Sequence, residues 1–318
     1  MKIAIIGCGL IGVKRAKALE SFPEHELVVC ADVSLERAVS LASHYRCDSF
    51  SDWRLAVKKE NVDAVIVATT HAFLKDISLA AVSLKKHVLV EKPGARSADE
   101  LKLVVDEASR QGVHLAVGFN HRYHPALMKA HEVSGSGGVG DIMYVRARYG
   151  HGGRLGYEKE WRAQPELSGG GELLDQGVHL LDLSRWFLGD LKLEYSAVPT
   201  CFWKMPVDDN AFLALKNEAG ALAWLHASWT EWRNTFSFEV FGKTGKLEVS
   251  GLGGSYGTER LTYYKMNKTM EPPEVTAWEW LGQDKSFEKE TADFLNSRGS
   301  SAQDALAALS LVGQVYRT

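Results

Sequence analysis

Three short stretches and one acid of this 318-residue chain carry side chains placed to do chemistry. Glu91-Lys92-Pro93 follows the apolar run Val88-Leu89-Val90, so a lysine stands at the end of a strand. Open α/β sheets bind ligands outside the carboxyl ends of their strands. Pro93 fixes its own φ and holds Lys92 extended, so the lysine is aimed. Gly7-Cys8-Gly9-Leu10-Ile11-Gly12 has the glycine spacing of a phosphate-binding turn. Gly7 permits the tight turn, Gly9 lets the backbone approach a pyrophosphate, and Gly12 allows close helix–strand packing. Asp32 lies twenty residues beyond Gly12, where a dinucleotide fold hydrogen-bonds the adenosine ribose diol. Its charge would repel a 2′-phosphate and favours NAD over NADP. Arg37 is close enough in sequence to reach such a phosphate, but it reads as an exposed helical residue beside Glu36. Downstream, Asp175 and His179 are four apart and would share one helical face, with Asp182 near it. Gly169-Gly170-Gly171 just before them lets the backbone come close to a ligand or another chain. A dinucleotide cradle, an aimed ammonium group and a carboxylate–imidazole pair are the parts of one acid–base chemistry.

The elements that must hold these residues alternate at first. Strands are expected at 2–6, 27–31, 64–68, 88–90 and 115–118. Helices are expected at 14–19, 35–45, about 75–84 and 98–110, with a further one after Ser51-Asp52-Trp53. Regular βα alternation with near-continuous apolar strands means a parallel sheet covered on both faces. From about residue 140 the texture changes: 142–148, 211–215, 221–229, 235–241 and 246–249 are strand-like runs separated by Gly, Asn and Asp, which predicts mostly antiparallel sheet. Only the segments around 172–188 and 286–316 read as helix there. The glycines at 135–140 and 251–257 read as loops. The domain boundary falls near Asn120.

Composition narrows the class. With 45% hydrophobic and 24% charged residues the chain reads as two globular domains, and a net charge of −3 offers no basic field to a nucleic acid. Cys8, Cys30, Cys47 and Cys201 show no metal or disulfide spacing. Cys8 and Cys30 read as small buried residues in a reducing compartment. No apolar run approaches the ~18 residues of a membrane span, and no signal peptide is evident. These features lead to the expectation of a cytoplasmic enzyme.

Taken in order, Gly7 to Gly12, Glu91-Lys92-Pro93, Gly118-Phe119-Asn120-His121-Arg122-Tyr123-His124-Pro125, the stretch Gly169 to Asp182 and the closing helix Ala302 to Arg317 resemble the family of glucose–fructose oxidoreductase, inositol dehydrogenase and the rhizopine catabolism proteins (Gfo/Idh/MocA). The resemblance covers nearly the whole chain. It implies an α/β fold: an N-terminal Rossmann domain with a doubly wound parallel sheet, residues 1–120, binding NAD(P). It also implies a C-terminal α+β domain with a large open-faced sheet, residues 121–318, for substrate binding and oligomerisation. A homodimer or homotetramer through that sheet is implied as well. The activity implied is NAD-dependent hydride transfer to or from a secondary alcohol of a sugar, an inositol-like polyol or a sugar derivative, with NADP as a possible cofactor.

Carried over by position, Lys92, Asp175 and His179 match the family's catalytic lysine, aspartate and histidine. Asn120 and Arg122 match the segment lining its nicotinamide and substrate cleft. The set expected at the cofactor is Gly7, Gly9, Leu10, Ile11, Gly12, Asp32, Thr69, Glu91, Lys92 and Asn120. At the substrate it is Lys92, Arg122, Trp161, Arg162, Asp175 and His179. One departure stands in the third strand's loop. Members commonly show Thr-Pro and then a histidine four residues on; here Thr70 replaces the proline and Leu74 that histidine, with His71 a partial substitute. Thr69 is still expected to touch the cofactor.

Hydride transfer from a carbinol carbon leaves a hydroxyl that must lose its proton. Either His179 or Lys92 could take it. An imidazole titrating near ~6.5 is the natural general base, so the proton is assigned to His179 and stabilisation of the developing alkoxide to Lys92. Asp175 would bind a neighbouring hydroxyl and hold the imidazole or ammonium. Arg146, Arg148, Arg154 and Arg162 fall within seventeen residues. They keep open an NADP-dependent ketoreductase of a nucleotide-linked sugar. A nicotinamide-binding sensor without turnover is the remaining alternative. His121 and His124 lack a partner motif for a metal, and no metal is expected.

Overall fold

The apolar runs at the head of the chain become strands buried on both faces. In the computed structural model, which describes residues 1–299 and 301–317, β1 (Lys2–Ile6), β2 (Glu26–Ala31), β3 (Asp48–Phe50), β4 (Ala64–Val67), β5 (His87–Glu91) and β6 (Leu115–Gly118) form one parallel sheet in the order β3-β2-β1-β4-β5-β6. Ile3, Ala4, Ile5, Val65, Ile66, Val88, Leu89 and Val90 are fully buried in it. Helices α1 (Leu10–Leu19), α2 (Leu35–Tyr45), α3 (Trp53–Val57), α4 (His71–Ser83) and α5 (Ala98–Gln111) connect the strands. Side chains cap three helix N-termini: Ser34 accepts the Arg37 amide, Asp52 that of Arg54 and Ser97 that of Glu100. The strand order reverses between β1 and β4, the switch point where such sheets take dinucleotides.

The chain divides into two compact units. The first holds Met1–Phe119 and also Phe287–Leu309, a segment the sequence boundary at residue 120 placed in the second domain. This segment carries most of α9 (Ser286–Leu295), whose Phe294 and Leu295 sit in one apolar cluster with Ile3, Ile5, Leu27 and Leu89. The helical stretch expected at 286–316 is thus two helices, α9 and α10 (Ala302–Val315), and the second unit resumes at Ser310.

The second unit is built on an eight-stranded sheet in the order β14-β13-β12-β11-β7-β10-β9-β8. Its strands are β7 (Ile142–Gly150), β8 (Lys192–Ala197), β9 (Asn210–Lys216), β10 (Leu222–Ser228), β11 (Thr235–Gly242), β12 (Gly245–Ser250), β13 (Glu259–Lys265) and β14 (Glu274–Trp280). Every pair is antiparallel except β7 with β10. One face buries Val145, Ala147, Tyr149, Leu213, Leu225, Phe238 and Leu247. The other carries Tyr144, Arg146, Trp224 and Phe241, with Tyr144 stacked on Phe241. Helices α6 (Pro125–Gly135), α7 (Pro165–Ser168) and α8 (Val178–Leu188) complete the unit. Of these α6 and α7 were not expected. The sequence also left out β3, β8, β13 and β14.

Candidate active site

The first unit gathers its chemistry along one edge of the parallel sheet. Gly7 follows β1 with φ +95°, and a Cβ there would stand 2.4 Å from the Ala68 carbonyl oxygen. A Cβ on Gly12 would stand 1.9 Å from the Gly7 carbonyl, so both turn and packing demand glycine. Gly9, by contrast, faces open space, as backbone that must admit a pyrophosphate should. Leu10, the first residue of α1, is 75% exposed, and Ile11 is half-buried. Asp32 follows β2 with both carboxylate oxygens engaged: Oδ2 accepts the Cys8 amide at 2.8 Å and Oδ1 that of Ser34 at 2.9 Å. The acid thereby fixes the glycine turn as well as presenting its charge. Thr69 follows β4, its hydroxyl donating to the Thr70 carbonyl. Glu91 closes β5, and Lys92 comes next, half-buried, through a cis peptide to Pro93. His71 is buried at the start of α4 and Leu74 is wholly buried, so the departing loop is packed into its own helix.

The second unit builds its cluster on a local irregularity. Leu173–Gly177 is a π-helical turn that runs straight into α8, so Asp175 and His179 belong to two helical geometries rather than to one α-helical face. Single π turns inserted in helices recur at functional sites because they re-aim side chains. Buried Asp208 anchors the turn, accepting the amides of Gly171 at 3.1 Å and Leu173 at 2.8 Å and the Tyr316 hydroxyl at 2.8 Å. Gly171 is required: a Cβ there would meet the Asp208 carbonyl oxygen at 2.0 Å. Burial raises the Asp208 carboxyl above the usual range, and the amide and Tyr316 donors only partly offset it.

Asp175 is 6% exposed and accepts from Arg162 Nε at 2.9 Å. Asp175 in turn holds the Arg162 guanidinium above its ordinary value, against the opposing effect of burial. Trp161 supplies a face for that guanidinium, 4.6 Å from its ring. Arg162 and Trp161 thus stand beside Asp175, as its partner and that partner's platform. His179 is 4% exposed and stacks on His121, with ring centroids 3.7 Å apart. His121 Nδ1 lies 3.2 Å from Asn120 Oδ1, and Asn120 Nδ2 donates to the Ser286 hydroxyl at 2.9 Å. Arg122 Nε donates to Asp182 Oδ2 at 2.8 Å, so Asp182, read from sequence as near the His179 face, ties Arg122 to α8.

Sequence reasoning missed several members. His121 was weighed only as a metal ligand, and its adjacency to Asn120 was the sole hint of its role. Tyr149 and Tyr256 also close on the cluster: Tyr149 stands edge-on to both His121 and His179, and Gln176 Nε2 donates to the Tyr256 hydroxyl at 3.0 Å. Burial pushes both phenols up, so they stay protonated donors at neutral pH. His124 binds Glu259 at 3.0 Å. Among the described residues no group of three or more His, Cys, Asp or Glu is placed to hold a metal ion. No helix among them is long and apolar enough to cross a membrane.

Two family models match this chain. Residues 1–119 match an oxidoreductase family with an NAD-binding Rossmann fold, and residues 127–248 match the GFO/IDH/MocA C-terminal domain. The 1,5-anhydro-D-fructose reductase of Ensifer adhaerens is 30% identical over 226 residues, covering 70% of this chain and 67% of that protein. Levoglucosan dehydrogenase of Pseudarthrobacter phenanthrenivorans is 26% identical over 231 residues, 69% of this chain but only 59% of the relative's length. A solved levoglucosan dehydrogenase, in complex with NADH and levoglucosan, superposes with a TM-score of 0.88 at 21% identity, covering 100% of this chain and 97% of the other. That likeness establishes the fold.

Proposed function

The chain belongs to the Gfo/Idh/MocA oxidoreductase family, and from that premise we propose that it moves a hydride between NAD and a secondary alcohol of a sugar, polyol or sugar derivative. Its first unit is an NAD-binding Rossmann domain, and the chain is an NAD(P)-dependent oxidoreductase. The observation that carries the substrate reading is the buried set in the second unit: Asp175 fixed by Arg162, and His179 fixed by His121. These are hydrogen-bonding groups suited to a polyhydroxylated ligand, with an imidazole able to accept a proton. The named dehydrogenase and reductase above act on sugar derivatives, in keeping with this.

In this reading Lys92 donates to the reacting oxygen, His179 takes its proton in the oxidative direction, and Asp175 binds an adjacent hydroxyl. When bound, the nicotinamide supplies the hydride acceptor. The preference for NAD over NADP is supported by Asp32, held after β2 by the Cys8 and Ser34 amides, whose negative charge would repel a 2′-phosphate at the ribose edge. The nucleotide-sugar alternative asks for arginines able to bind phosphate. Arg146, Arg148, Arg154 and Arg162 lie within 4 Å of Glu239, Glu231, Glu160 and Asp175, which speaks against it. An oligomer through the second unit's sheet is part of the proposal, since its uncovered face carries Tyr144 at 38% and Trp224 at 52% exposure. A site in the cytoplasm fits the free thiols of Cys8, Cys30, Cys47 and Cys201.

The test is reduction of NAD, and separately NADP, across polyols, aldoses, anhydrosugars, sugar acids and nucleotide sugars. Turnover with a free sugar or polyol and NAD supports the proposal. Turnover confined to nucleotide sugars with NADP replaces it.

A further inference from the structure

Arg15 is a wholly buried arginine on α1, three residues beyond Gly12. Its Nε donates to Glu91 Oε1 at 2.7 Å, and its Nη1 lies 2.6 Å from Glu290 Oε2 on α9. The guanidinium rests over the Phe287 ring, 4.7 Å from its centroid. Gly118, the strand partner of Glu91 on β6, leaves room for the group: a Cβ there would stand 2.7 Å from Nη2 and 3.1 Å from Glu91 Oε2. One cation therefore faces two carboxylates inside the first unit. Burial pulls the guanidinium down, but Glu290 and Glu91 outweigh it and hold the charge in place. Such a triad is a poor source of stability, because well-packed apolar side chains of similar volume do as well or better. What it adds is geometry, since a planar arginine fork fixes direction where an ammonium does not. Its three attachments are the helix after the glycine turn, the residue before Lys92, and the returning C-terminal helix.

We propose that Arg15 is a positioning residue for Lys92: through Glu91 it locks the end of β5 to the helix that follows the glycine turn, keeping the lysine in register with the cofactor phosphates. The inference rests on the reading of Lys92 as a catalytic residue.

The experiment compares Arg15→Met, Arg15→Lys and Lys92→Ala with the unmodified full chain. It measures thermal stability, the Kd for NAD, kcat per NAD-binding site on a substrate found by the panel, and the Lys92 signal of reductively ¹³C-methylated protein. That signal is identified by its loss in Lys92→Ala and needs no substrate. Both Arg15 variants should move the Lys92 signal and lower kcat by about 10–100-fold, the scale of a small misplacement of a reacting group, while still binding NAD. Arg15→Lys keeps a cation in the triad, so it remains informative if Arg15→Met does not fold. A purely structural Arg15 would lower thermal stability and leave the Lys92 signal and kcat per site at wild-type values, which overturns the inference alone. Undiminished turnover in Lys92→Ala overturns the reading beneath it.

Discussion

Arg162 and Asp175 show how much of the candidate chemistry depends on single contacts. Asp175 is nearly buried and Arg162 is the cation beside it, so Arg162→Ala leaves a carboxylate in a desolvated place without that charge. The expected result is a rise in KM together with a fall in kcat, lowering kcat/KM by roughly 10²-fold. Arg162→Lys should recover only part of this, because an ammonium cannot reproduce the guanidinium's direction or its stacking on Trp161. Steady-state kinetics on both variants check it; wild-type kcat/KM in Arg162→Ala would remove Arg162 from the site. At this scale the sequence was legible wherever a motif stated the environment. Lys92 was placed by the strand and proline around it, and Asp32 by its distance from the glycines. His121 was not, because its stacking partner His179 lies on a different element and no local pattern encodes that meeting.

Among the elements, the π turn at Leu173–Gly177 departs most from what periodicity can describe. A four-residue spacing suggested a shared α-helical face. The Gly171–Asp208 contact, between residues thirty-seven apart, instead fixes the first turn in a wider geometry. Gly171→Ala should therefore destabilise the protein by about 1–3 kcal/mol or more, since the added methyl would run into the Asp208 backbone and its anchoring carboxylate. Chemical denaturation measures this; an unchanged midpoint would mean that the turn relaxes freely. Three of the four missed strands, β3, β8 and β14, lie at sheet edges. β8 and β14 are the two edges of the eight-stranded sheet, and β14 is exposed along most of its length. Edge strands bury little on either face and so show weak alternation. The parallel strands were legible because burial on both faces writes an unbroken apolar run.

For the molecule as a whole, buried histidines contribute to the acid side of the stability curve. Burial lowers His114, His131, His151 and His226 below their ordinary value of 6.5. The folded chain therefore refuses protons that the unfolded chain accepts. Their contribution to stability is fully present above about pH 6.5 and is lost as pH falls from there through their lowered folded values. Tm should drop measurably between about pH 7.5 and 5.5; a rising Tm over that interval would contradict these burials. The proposed oligomer belongs to this scale too. Trp224→Asp, on the uncovered sheet face, should shift light-scattering mass toward the monomer without loss of fold, and an unmoved mass would place any interface elsewhere. The two-part plan was readable from the change of texture near residue 140. The return of Phe287–Leu309 to the first unit was not, because an amphipathic helix does not announce which core it covers.

The account turns on Lys92 and His179 serving one hydride transfer. The measurement that tests it most directly is turnover of NAD with a sugar or polyol by wild-type, Lys92→Ala and His179→Ala protein, with NAD binding measured on the same samples. Both variants should still bind NAD and lose roughly 10²–10⁴ in kcat. Full turnover in either variant, at unchanged NAD affinity, would contradict the assignment.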